Sequence, residues 1–86
     1  MSVEIIYKKK NLESQQHVKK EIDLAQKGLS DKSYAQLRSI LDELESMLNE
    51  KGLSVYYPRI IVDSWDFNDQ LGLELLELEE LYKRWK

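Results

Sequence analysis

The chain has 86 residues, 34% of them charged, with a formal net charge of -3 at neutral pH, no cysteine and a single histidine. One domain of this length buries a modest fraction of its unfolded surface. With neither disulfides nor a histidine and cysteine cluster to reinforce the core, association with another macromolecule is the expected supplement.

The acidic balance, with a sequence pI near 5.1, disfavours nonspecific contact with phosphate backbones, so duplex DNA is not an expected partner, and single-stranded nucleic acid stands behind protein partners. No apolar run approaches the length that crosses a bilayer. The short apolar stretch at the N-terminus is followed, not preceded, by positive charge, unlike a secretory leader. The lack of cysteine fits a reducing compartment, and the expected setting is cytoplasmic.

Residues 3–7, VEIIY, are β-branched and aromatic and partly alternate, which predicts a strand with Val3, Ile5 and Tyr7 on one face. Lys8, Lys9 and Lys10 would blunt its end against edge-to-edge pairing. From Asn11, read as an N-cap, to Lys27, the spacing of Val18, Ile22, Ala25 and Leu29 predicts a helix. Gly28 would close it in the left-handed conformation, with Leu29 folding back as the apolar contact.

A second helix is expected after Ser30 or Asp31, where Tyr34, Leu37, Leu41, Leu44 and Leu48 form an unbroken stripe widened by Ile40 and Met47. It ends in KGLS, as the first does; the helix bodies share too little for a duplication, so similar capping accounts for the repeat. In residues 55–62, Val55, Tyr56, Tyr57, Ile60, Ile61 and Val62 favour an extended chain, and Pro58 confines such a strand to a sheet edge or bulge. The alternative starts a short helix at Pro58 with Tyr57, Ile61 and Trp65 inward.

The last helix runs from near Asn68 with Leu71, Leu75, Leu78, Tyr82 and Trp85 on one stripe. Leu73, Leu76 and Leu81 widen its apolar face beyond what one neighbouring layer covers. The expected architecture is a single domain over residues 1–86, α+β and mostly helical, ordered β-α-α-β-α with helices on one side of a two-stranded ribbon. An all-α four-helix bundle is the alternative.

Little in the chain points to catalysis. Asp66, Asn68, Gln70 and Glu77 stand at calcium-loop offsets, but Leu71 occupies the turn position that needs glycine, and Gly72 comes one residue late. His17 lies off the apolar stripe, with no nucleophile elbow or phosphate-cradling loop to accompany it. Neither an enzyme nor a metal or cofactor is expected. Lys83, Arg84 and Lys86 oppose the negative end of the last helix dipole and need no ligand. The acidic face of that helix, with Glu74, Glu77, Glu79 and Glu80, argues against a membrane-surface role.

Tyr56, Tyr57 and Arg59, with Trp65 close behind, are residue types that dominate protein interfaces. Asp63, Asp66 and Asp69 would steer an acidic binder towards a basic partner. At Tyr56-Tyr57-Pro58 the chain resembles the colicin nuclease immunity proteins, small acidic helical proteins that neutralise a toxin by binding beside its active site. In that family too, Tyr-Tyr-Pro follows a helix carrying apolar and acidic residues, and a final helix completes the fold. The family's acidic residue three positions before the first tyrosine is Leu53 here, and its N-terminal portion has no counterpart in MSVEIIYKKKN.

The resemblance implies Tyr56 and Tyr57 as partner contacts. Two functions are therefore expected. One is a non-enzymatic protein-binding domain of the inhibitor, immunity or antitoxin kind, meeting a basic toxin or nuclease through Tyr56, Tyr57, Arg59, Asp63, Trp65, Asp66 and Asp69. The other is a self-associating subunit whose homodimer buries Leu73, Leu76 and Leu81.

Overall fold

The computed structural model describes residues 2–85, which form four α-helices and no strand. They are α1 (Val3–Gln26), α2 (Tyr34–Asn49), α3 (Tyr57–Ser64) and α4 (Gln70–Arg84). The expected β-α-α-β-α order is thus overturned, and the all-α alternative describes the chain.

Both would-be strands are helical for identifiable reasons. Ser2 caps α1 by accepting a hydrogen bond from the Ile5 amide at 3.3 Å, and Glu4 sits in the first turn, where the helix dipole favours negative charge. The buried stripe of α1 then runs without a break through Tyr7, Asn11, Ser14, Gln15, Val18 and Ile22. Its spacing is helical from residue 7 onwards, but its centre is polar. Asn11 is therefore not a cap; it is a buried residue in the third turn after Ser2.

In α3 the decisive partner is Glu43 of α2, whose carboxylate accepts from the Tyr56 and Tyr57 amides at 2.8 and 2.6 Å. These amides have no side-chain cap of their own at this helix start. Pro58 in the first turn has no N–H to satisfy. Tyr57 and Ile61, one turn apart, reach the core, and that burial outweighs the extended preference of the β-branched residues.

α1 packs against α2 and α4, while α3 bridges α2 and α4, so α1 and α3 occupy opposite corners of the bundle. The directions alternate. The Tyr7 hydroxyl donates to the Met47 carbonyl at 3.0 Å, joining the start of α1 to the end of α2. The Trp85 indole N–H donates to Glu4 at 3.0 Å, bringing the end of α4 to the same pole. There Tyr7, Tyr82 and Trp85 form a ring cluster, with Tyr7 centred 5.3 Å from each of the other two. Leu37, Ile40, Leu44 and Leu75 fill the middle of the core.

The two KGLS endings differ. At Gly28 (φ 75°) the Leu29 amide donates to the Leu24 carbonyl at 2.8 Å and the Gly28 amide to Ala25 at 3.1 Å, the paired bonds of a Schellman ending. Leu29 itself stays exposed, so the expected apolar fold-back does not form. After α2, Glu50 is extended, and the Tyr82 hydroxyl holds the turn by donating to the Glu50 carbonyl at 2.6 Å and accepting from the Leu53 amide at 2.9 Å. α2 is capped by Ser33, in place of the expected Ser30 or Asp31, and α4 by Asp69, one residue after its expected start near Asn68. No helix among the described residues is long and apolar enough to cross a membrane.

Candidate functional site

α3 is 8 residues long against 24 in α1, and it carries the most conspicuous surface. With Tyr57 and Ile61 inward, a rotation of about 100° per residue puts Arg59, Val62 and Asp63 on the outer side. All three are exposed. Tyr56, just before the helix, is 71% exposed, and Phe67, in the link to α4, is 85% exposed. The link is a tight turn: the Asp69 amide donates to the Asp66 carbonyl at 2.9 Å, and the Asn68 amide donates to the Asp66 carboxylate at 3.0 Å. Phe67 occupies its first central position, where the side chain projects from the fold.

The structure separates the expected partner residues into two groups. Tyr56, Arg59, Asp63 and Asp66 are exposed and follow one another from the start of α3 to the turn after it. Arg59 and Asp63 approach at 3.6 Å across one helical turn, with both side chains largely in water, a geometry that contributes little to stability. Tyr57, Trp65 and Asp69 belong to the fold. Tyr57 is wholly buried, and its hydroxyl donates to the Leu75 carbonyl at 2.7 Å. Burial pushes its phenol far above the ordinary tyrosine range.

Trp65 is half-buried. Its indole N–H points at Gln36 at 3.4 Å, the Lys32 ammonium lies 5.0 Å from its ring centre, and its ring edge closes on Gly72. Val62 and Phe67 join the surface without having been expected there. Of the expected self-association residues, Leu73 is exposed, whereas Leu76 and Leu81 are half-buried and pack on the core.

Against family models, curated proteins and solved structures, the chain finds no match. The chemistry of its own residues therefore carries the functional argument.

Beneath the surface turn, Asp69 does two structural jobs. One carboxylate oxygen accepts from the Gly72 amide at 2.9 Å as the α4 cap, and the other meets the Lys32 ammonium at 2.6 Å. The side chains are only 19% and 9% exposed. Burial alone would raise the Asp69 carboxyl, but the Lys32 and Gly72 hydrogen bonds and the Lys32 charge outweigh it and hold it below its ordinary 3.8. Burial alone would lower Lys32, and the Asp69 hydrogen bond and charge, with Asp31 and Glu21, outweigh that and raise it.

A carboxyl depressed in the folded state stabilises the fold above its unfolded value, and that contribution disappears as the pH falls through the folded value. Asp69→Asn keeps a competent cap but loses the charge. It should lower stability at neutral pH by about 1–3 kcal/mol. It should also shrink the loss of stability below about pH 4, read by urea titrations across the acid range. An unchanged acid limb would mean that the pair does not form.

A groove of about 500 Å³ between α1 and α4 is lined by Lys10, Glu13, Ser14, His17, Glu74 and Glu77, among others. Glu74 accepts from the Ser14 hydroxyl at 2.7 Å and lies 2.8 Å from His17 Nδ1. The serine is thus committed to the carboxylate and not to the imidazole, so the trio lacks the contact between nucleophile and base that activates a hydroxyl. Physically it ties α1 to α4. Among the described residues no group of three or more histidine, aspartate or glutamate side chains is placed to hold a metal ion.

Proposed function

We propose that this chain is a small, non-enzymatic protein-binding domain of the inhibitor, immunity or antitoxin kind, which occludes its partner with the outer side of α3 and the turn that follows. One observation carries the reading. Phe67, Tyr56 and Val62 are three of the four most exposed large apolar side chains, and they fall within twelve residues of sequence. Apolar surface held out on a short, anchored helix is hydration that a partner would relieve. Tyr56 and Arg59 are anchoring residue types, and Asp63 and Asp66 supply an acidic rim suited to a basic partner. The Tyr56-Tyr57-Pro58 resemblance implies both tyrosines as contacts, and with Tyr57 buried only Tyr56 is free to serve.

The self-association reading rests now on Leu73, since Leu76 and Leu81 are engaged in the core. The test compares wild type with Tyr56→Ala/Phe67→Ser as baits in host extract. The expected result is one basic protein retained by the wild type and lost by the variant, with the helical spectrum intact. Equal recovery by both baits would place the interface elsewhere, and a stable dimer with no other partner would favour the second reading.

A further inference from the structure

At the corner opposite α3, the outer face of α1 has a chemistry unlike the rest of this acidic chain. Its inward stripe is centred on Tyr7, Asn11 and Val18. On the far side, at about 100° per residue, lie Ile5, Lys9, Leu12, Gln16, Lys19 and Lys20, all exposed. Ile5 is 59% and Leu12 51% exposed. Residues 3–20 hold five lysines against two glutamates. Glu4 lies on the inward flank and accepts from the Trp85 indole, while Glu13 lies on the outer side between Lys9 and Lys20 and also lines the groove towards α4, so the face keeps a net positive charge. Asp23, the next acid along the face, pairs with Lys27 at 3.0 Å. Among the described residues, none of Lys9, Lys19 and Lys20 joins an ion pair.

We propose that this face is a peripheral contact for an anionic bilayer surface. The lysines lie in the headgroup field, and Ile5 and Leu12 dip into the interface. The stripe runs straight for about 22 Å along one helix, a shape that meets a plane. Single-stranded nucleic acid is the competing polyanion, and it is held by stacking bases on exposed rings. This face offers none. Tyr7 and Trp85 are buried, and the exposed rings, Tyr34, Tyr56 and Phe67, belong to the other helices and their links. The acidic side of α4, which argues against lipid when the sequence is read alone, lines the groove with α1 and meets the stripe at Lys20, where Glu74 and Glu77 share a hollow with it. The inference is independent of the α3 surface, which points the other way and stays open to a protein partner.

The test is co-sedimentation of the full chain with vesicles of mixed phosphatidylglycerol and phosphatidylcholine, and with phosphatidylcholine alone, at low and high sodium chloride. The expected result is binding to the anionic vesicles only, lost at high salt. Lys9→Gln/Lys19→Gln should weaken it about thirtyfold, and Ile5→Ser/Leu12→Ser should weaken it severalfold. These positions are exposed, so the variants should fold, and circular dichroism checks that they do. Absence of binding to anionic vesicles at low salt overturns the proposal, as does unchanged partitioning of the lysine variant. Full binding by the serine variant removes the apolar half of the contact. Tighter binding to a uridine-rich oligonucleotide than to vesicles would assign the face to nucleic acid instead.

Discussion

Tyr57→Ala should destabilise the fold by about 3–5 kcal/mol, whereas Tyr56→Ala, one position earlier, should change stability by no more than about 0.5 kcal/mol. The contrast follows from burial. Tyr57 is fully enclosed and, with Ile61, is one of the two buried residues of α3, while Ile60 packs on the core only in part. Removing its ring leaves a cavity that α3, fixed at its start by Glu43 and one turn on by Ile61, cannot collapse to fill. It also leaves the Leu75 carbonyl without its side-chain donor.

A domain of this size has a total stability of roughly 5–15 kcal/mol, so the alanine variant should be largely unfolded in mild urea. Tyr57→Phe separates the terms: it keeps the ring and removes one hydrogen bond, for about 1 kcal/mol. Urea titrations followed by circular dichroism give all three values. A Tyr57→Ala midpoint close to wild type would show that α3 is not anchored as described. Partner binding should sort oppositely, failing in Tyr56→Ala with its fold intact.

The same two tyrosines show what the sequence could convey. Read as a strand, residues 55–62 put Tyr56 and Tyr57 on opposite faces without saying which is inward. Only the short-helix alternative, with Tyr57 spaced to Ile61, assigns Tyr57 to the core. What decides between them is Glu43, thirteen and fourteen residues away, capping amides that β-propensity cannot see. α2 was legible because every inward position is apolar. α4 was legible in extent but not in coverage, since it meets α1 on one side and α3 on the other; two neighbours, not one, take up Leu76 and Leu81. Arg59 and Asp63 were legible by residue type. Phe67 was not, because it belongs to neither helical stripe and its display depends on the Asp66 turn.

Asn11 is where residue type misled most, and its replacement carries the second large effect. Its amide donates to the Tyr7 hydroxyl at 2.9 Å and to the Leu44 carbonyl at 3.0 Å, while its carbonyl accepts from Gln15 at 2.7 Å. Asn11 is fully buried, and Gln15 is 6% exposed. Asn11→Leu removes the acceptor and leaves the buried Gln15 amide unpaired. The expected cost is about 2–4 kcal/mol, combining that desolvation with misfit against the Tyr7 hydroxyl.

Adding Gln15→Leu should not add a second loss. It removes the orphaned group, and replacing both partners by apolar side chains can be nearly neutral, so the double variant should recover about 1–2 kcal/mol over Asn11→Leu. Such recovery would mean that the ladder serves less to hold the bundle together than to set α1 against α2 in one register, since Leu44 and Met47 are the carbonyls it reads. A double-mutant cycle in urea measures the coupling directly. Strictly additive losses would instead make each residue an independent contributor, and the registration argument would fall.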